Sequence, residues 1–403
     1  MATEPRHHDG MAGHLGEVFT AFLLLGLTSF GGPVAHLGYF REAFVVRRRW
    51  LGEADYAELV ALCQFLPGPA SSQVGIALGL LRAGHAGAVA AWIAFTLPSV
   101  LLLLAFAYGL GALGGPAATG ALAGLKLAAL AVVAHAVWAM ATTLAPDRRR
   151  RLIAIAAAVA VLLVASNLTQ MAVIAVAAAA GALRPPAVTE AAVAPDVAGR
   201  RGRPWLWLGL FALLLFGLPL LVALTGDSTL TAFEKFYRTG SLVFGGGHVV
   251  LPLLEAELVQ PGLIGSEAFI AGYGAAQAVP GPLFAFAAYA GAMLEAPPNG
   301  LWGAALALVA IYLPSFLLVF GTLPLWQRLR SRPRLRGALD AANAAVVGLL
   351  IGVLYDPVFL SAVDDGGDLA LALVALALLA LLRWPPWLVV LLTAAAGYLL
   401  SAL

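Results

Sequence analysis

Two kinds of run in this chain combine a glycine break with polar side chains, and each occurs twice. SFGGPVAH (29–36) carries Ser29, Gly31, Gly32 and His36, and SLVFGGGHVV (241–250) carries Gly245, Gly246, Gly247 and His248. QFLPGPASSQ (64–73) carries Gln64, Gly68, Ser71 and Ser72, and QAVPGP (277–282) carries Gln277 and Gly281. Hydroxyl and amide side chains donate hydrogen bonds, and a helix that restarts after a break offers free N–H groups with about half a positive charge. Glycine lets a ligand approach that backbone closely. Such a set favours an anion. Four helix starts, two per half, amount to about +2, which suits a dianion better than a monoanion.

Each side chain also has a plainer reading. Ser71 and Ser72 serve equally as helix caps, the second PGP is followed by Leu283 and Phe284 instead, and Gln64 and Gln277 can tie off carbonyls freed by the breaks. His36 and His248 pack as neutral rings, or stabilise an anion and sense pH when protonated. Lys126 lies well inside KLAALAVVAHAVWAM (126–140), and an ionisable group at such depth marks a functional position. The duplication sets Asn343 opposite Lys126, with Asp340 one turn earlier. Lys126 is therefore a ligand-binding cation, half of a buried pair with Asp340, or a side chain reaching for the interface. Glu234 and Arg238, at i and i+4 beside Lys235, read as a surface pair, with an anion vestibule as the alternative.

The elements that hold these residues must lie in a membrane. The 403 residues are 62% hydrophobic and 11% charged with a mean hydropathy of +0.93, against roughly 25% charged residues in an ordinary soluble domain. Net charge is +2 and the basic groups are nearly all arginines gathered in loops, which reads as membrane topology rather than a nucleic-acid surface. The lone Cys63 excludes an internal disulfide, the histidines lack metal-ligand spacing, and no GxxxxGK[ST] run is present, so neither a metal nor a nucleotide cofactor is expected. No nucleophile stands with a paired base, which argues against an enzyme. The polar N-terminus does not read as a cleaved signal.

Residues 87–111, 117–144, 205–224, 301–325 and 338–356 are long enough to span the hydrocarbon. By contrast 16–30, 34–45, 54–66 and 70–82 reach only about 18 to 22 Å at 1.5 Å per residue, and they come in pairs joined by FGG and PGP. Short pairs of this kind predict hairpins of half-helices whose broken tips lie near the bilayer midplane, where irregular backbone survives only against protein or a water-filled cavity. Pro33 and Pro69 fit as first residues after such breaks.

The halves are copies. FTAFLLLGLTSFGGP (19–33) matches FEKFYRTGSLVFGGG (233–247) at six of fifteen positions, and LPS (97–99 and 313–315) and GAL (120–122 and 337–339) continue in the same order. The reading divides the chain into a first repeat at 1–183, a polar cytoplasmic linker at 184–204, and a second repeat at 205–403 with one extra leading helix. Loop charge orients them. Arg47 to Arg49, Arg148 to Arg151 and the linker arginines are basic while GALGGP (111–116) and SNLTQ (166–170) are neutral; in the second half RLRSRPRLR (328–336) is basic and Asp356, Asp364, Asp365 and Asp368 replace the Arg148 to Arg151 group. The fold expected is an all-α polytopic membrane protein of two inverted-topology repeats, with its N-terminus inside and its C-terminus outside.

The runs SFGGPVAH, QFLPGPASSQVGIALG, SLVFGGGHVVLPLL and YGAAQAVPGPLFAFAAYAG resemble the signature segments of the chromate ion transporter family in its long, two-domain form, over nearly the whole chain outside the N-terminus and linker. The resemblance implies a multi-pass protein of the bacterial plasma membrane that exports chromate and confers resistance to it, with sulfate or another oxyanion as the alternative substrate. Its partners would be the oxyanion and the lipid bilayer, with no nucleic acid and with room for a homodimer. Two negative charges leaving an inside-negative cell gain about 4.6 kcal/mol per 100 mV, so export needs no coupled ion, while proton coupling stays open.

Overall fold

The computed structural model describes residues 11–29, 32–112, 116–164, 167–184, 203–243, 250–326 and 332–402, and among them every regular element is helical. Gly31, Gly245, Gly246, Gly247 and His248 lie outside the described residues. The first half runs α1 (Met11–Thr28), α2 (Gly32–Phe40) continuing as a π-helical turn (Arg41–Arg47), α3 (Glu53–Phe65), α4 (Ala70–Ala112), α5 (Pro116–Leu144), α6 (Arg148–Leu163) and α7 (Asn167–Leu183). After α8 (Pro204–Thr225) the same order returns: α9 (Ser228–Leu242), α10 (Val250–Leu254) with its own π-helical turn (Glu255–Val259), α11 (Ser266–Ala278), α12 (Phe286–Ala292), α13 (Gly300–Thr322), α14 (Pro333–Val353), α15 (Gly366–Ala380) and α16 (Pro386–Ala402).

The long and short segments expected from hydropathy appear as such. Five helices among the described residues are long and apolar enough to cross a membrane, and each overlaps one of the five spans read from the sequence. The short pairs appear as α1 with α2 and as α3 with the first part of α4. That part ends at Ala83 and Gly84, where Gly84 takes φ +68°, a left-handed conformation open to glycine at little cost. α12 and α13 stand separately at the places of the two parts of α4.

Small residues let the helices cross closely, and the two halves cross in the same way. A methyl group on Gly26 of α1 would stand 2.6 Å from the Phe95 carbonyl of α4, and one on Gly240 of α9 would stand 2.1 Å from the Ile311 carbonyl of α13. The halves also interlock. α14 packs on α6 and α7 of the first half, while α5 packs on α15 and α16 of the second. Gly181 sits on the Gly337 backbone and Gly397 on that of Gly120, again at matched positions. Close glycine crossings supply the dispersion contacts that hold helices together where lipid is as apolar as the side chains. α8 lies outermost, with Trp205, Leu213, Phe216 and Leu224 exposed and Leu218 buried.

Candidate functional site

Each break is tied to the other kind of break in the opposite half. The Gly68 amide of the first PGP turn donates to the Val243 carbonyl at 2.6 Å, just before the second glycine run, and the Gly281 amide of the second PGP turn donates to the Ser29 carbonyl at 2.9 Å, just before the first. Val243 and Ser29 are matched positions of the duplication, so the pair of bonds is reciprocal. Gly68 (φ +122°) and Gly281 (φ +100°) take conformations that L side chains rarely adopt.

The LPS serines crown the same two junctions. Ser99 donates to the Pro280 carbonyl at 2.6 Å and lies where a methyl on Gly281 would fall, 2.1 Å from its Oγ. Ser315 occupies the matching place beside Gly68. There the Pro67 carbonyl is taken instead by Gln73 Nε2 at 2.6 Å, which leaves Ser315 Oγ without a partner among the described residues. Gln73 has Phe286 as its second-half counterpart, and this one difference makes the two junctions chemically unequal.

Between the junctions lies the first turn of α4. Ser71 faces His36, whose Nδ1 is 3.5 Å from Ser71 Oγ and whose Nε2 is 3.3 Å from the Ser29 carbonyl, with the ring edge-on to Phe95 at 5.2 Å. A carbonyl only accepts, so Nε2 carries the proton and Nδ1 accepts from the serine. His36 is thereby a buried brace between the first break and α4. Ser29, Ser71, Ser72, Gln73, Thr96, Ser99 and Ser315 are all buried.

Ser29 Oγ, Ser315 Oγ, Trp92 Nε1 and Gln73 Oε1 have no hydrogen-bond partner among the described residues, and the Ser72, Thr96 and Tyr312 hydroxyls have only one another within reach. The Tyr312 hydroxyl is turned toward those of Ser72 and Thr96, and its ring meets Trp92 edge-on at 5.5 Å. Buried polar atoms are nearly always satisfied, and a group of them left open at one place marks where something polar binds. All but Gln73 Oε1 are neutral donors, and the free amides at the start of α4 add the positive end of a helix dipole. This arrangement can hold a desolvated anion through hydrogen bonds without a full counter-charge.

The other sequence candidates scatter. Gln277 is buried, bonded to the Tyr273 hydroxyl, with Nε2 open. Gln64, its counterpart, is exposed. The difference extends over both helices: α11 is buried from Phe269 through Gln277, covered by α5 and α16, whereas Ala57, Ala61 and Gln64 form an exposed stripe along α3. Lys126 pairs with Glu267 at the start of α11, at 3.2 Å, rather than with Asp340, and Glu267 is 86% exposed, so the lysine reaches for the surface. Asn343 on α14 is half-buried with Oδ1 open. Of the expected surface pair, Glu234 is instead buried and Arg238 part-buried, with Arg238 bonded also to Glu257 of the π-helical turn. Gln73, Thr96, Ser99, Ser315 and Tyr312 were missed as site residues; the repeated LPS was the available signal.

The chromate transporter family model matches twice, over residues 16–182 and 230–398. The chain is 29% identical to a chromate transport protein of Pseudomonas aeruginosa, over 84% of this chain and 80% of that one. It is 28% identical to a chromate transport protein of Cupriavidus metallidurans, over 91% and 88%, and 25% identical to a probable chromate transport protein of Synechococcus elongatus, over 86% and 85%. No solved structure matches the chain. With both halves matched and its apolar helices and buried donors in place, the chain belongs to the chromate transporter family, a family of multi-pass membrane transporters rather than enzymes.

Proposed function

We propose that this protein exports chromate from the cytoplasm across the inner membrane of a bacterial cell and so protects the cell from it. The observation that carries the reading is the set of open, buried, neutral donors between the two reciprocal break junctions. Chromate near neutral pH is mainly a tetrahedral dianion. Four oxygens spread over several hydroxyls suit it, and a site without a full counter-charge binds weakly enough to release.

The repeats are residues 1–183 and 205–403 with a cytoplasmic linker at 184–204, inserted in opposite senses with the N-terminus inside and the C-terminus outside. Loop arginines support this orientation, and the matched glycine crossings support the repeat itself. Under it α3 enters from the cytoplasm and α11 from outside. The exposed stripe of α3 and the covered face of α11 then correspond to a cytoplasm-open state, and exchange of the two arrangements between the repeats would open the other side. The membrane potential drives the dianion outward at about 4.6 kcal/mol per 100 mV, with proton coupling unnecessary for export.

The second reading is proton-coupled transport of sulfate, favoured by the same shape and charge of substrate. Expression in a chromate-sensitive host separates them. Export predicts higher chromate tolerance and lower cell-associated chromium; unchanged tolerance with sulfate-dependent growth would favour the alternative.

A further inference from the structure

Charge is buried in the second half where the first half has none. On α9, Lys235 Nζ lies 3.2 Å from Glu257 Oε2, Arg238 Nη2 donates to the same oxygen, and Arg238 Nε lies 3.2 Å from Glu234 Oε1. Side-chain exposures are 7% for Glu257, 6% for Glu234, 13% for Lys235 and 22% for Arg238. One carboxylate oxygen therefore takes donors from two cations.

The duplication provides an internal control. The matched first-half positions are Thr20, Ala21, Leu24 and Ala43; Ala21 and Ala43 are buried, whereas Thr20 and Leu24 are exposed. At these four positions the first hairpin carries no charge, although Glu17 nearer the start of α1 bonds Trp50 and Arg82. Two buried carboxylates and two part-buried cations, at positions that the first half fills with threonine, alanine and leucine, are costly, and such groups within a membrane protein mark a path for ions or substrate. They are also close to the site: Arg238 precedes Val243 by five residues, about 7.5 Å along a helix, and Val243 is the residue that accepts the Gly68 amide.

The geometry points to Lys235 and Arg238 as an oxyanion way-station between the central donors and the membrane face from which α9 enters, with Glu257 as the resident counter-anion that a passing tetrahedral dianion displaces. This rests on the transport reading above. An oxygen of the dianion takes the position of Glu257 Oε2 on both cations, while Glu234 keeps hold of Arg238. When the dianion leaves, the carboxylate returns, so the cations are paired at every stage and the substrate is not trapped. The first half, entered from the opposite face, lacks this device.

The test transplants the first half's own residues: Glu234→Thr, Lys235→Ala, Arg238→Leu and Glu257→Ala together, beside the single Glu257→Gln, in purified protein and in proteoliposomes. The four-fold variant is expected to melt near the wild type while its KM for chromate rises about tenfold or more; Glu257→Gln is expected to lower KM about tenfold and slow turnover, because nothing competes for the cations. Wild-type KM in both variants overturns the way-station and leaves chromate transport standing. Should the four-fold variant fail to fold, Glu257→Gln alone decides by the same KM criterion. Should the wild type move no chromate, the transport reading fails, and the way-station is judged by sulfate: thermal stabilisation of Glu257→Gln greater than that of the wild type supports it, and none overturns it.

Discussion

Gly281 and Ser29 belong to different halves of the chain, and the hydrogen bond between the Gly281 amide and the Ser29 carbonyl, at 2.9 Å, holds a proline–glycine turn of one half against the glycine break of the other. Its mate joins Gly68 to Val243. The breaks are therefore not four separate kinks. They form two junctions, and the first turn of α4 lies between them.

Gly281→Ala tests the junction. Its φ of +100° is strained for any side chain, at about 1–3 kcal/mol, and the new methyl would stand 2.1 Å from Ser99 Oγ. The variant should melt lower and lose transport. Adding Ser99→Gly should recover part of the stability by removing the clash, which a melting curve of the double variant checks.

Ser72→Ala, Thr96→Val and Tyr312→Phe separate binding from folding. Their hydroxyls have only one another within reach, so removing one should change stability little, whereas losing a fully satisfied buried hydroxyl bond costs about 1 kcal/mol. Each change should nevertheless raise KM for chromate several-fold. A lower melting temperature with unchanged KM would mean that these hydroxyls serve the fold instead.

Cysteine accessibility reads the difference between α3 and α11. Native Cys63 is fully buried and should be inert to thiol reagents. Gln64→Cys should react with a polar maleimide in inverted vesicles, where the cytoplasmic face is outside, and Gln277→Cys should react slowly. Equal labelling of the two would remove the argument for a cytoplasm-open state.

Lys126→Ala should alter transport little. Its partner Glu267 is largely in solvent, and exposed pairs contribute about 0–1 kcal/mol. A KM within about twofold of the wild type is expected; a large loss would return Lys126 to the list of groups that touch the substrate.

Much of this was legible before any coordinates, because hydropathy fixes span length and glycine and proline mark breaks wherever they fall in an apolar run. The five long spans and the short paired segments came directly from that pattern. What could not be read is which break meets which. QFLPGP and QAVPGP look alike, yet Gln277 is buried and Gln64 is not, because only α11 is covered by α5 and α16. Lys126 meets Glu267 across 141 residues, a pairing that repeat alignment, which pointed to Asp340, cannot supply. The role of Ser99 was likewise hidden, since a serine after proline in a helix has no local feature that announces a carbonyl in the other half.

The central claim is electrogenic movement of chromate, and labelled chromate uptake into inverted membrane vesicles at a clamped potential tests it most directly, with the pH gradient collapsed and sulfate as competitor. Accumulation that follows the potential and survives collapse of the pH gradient is the predicted result. Uptake that needs the pH gradient, or sulfate transport without chromate transport, would contradict it.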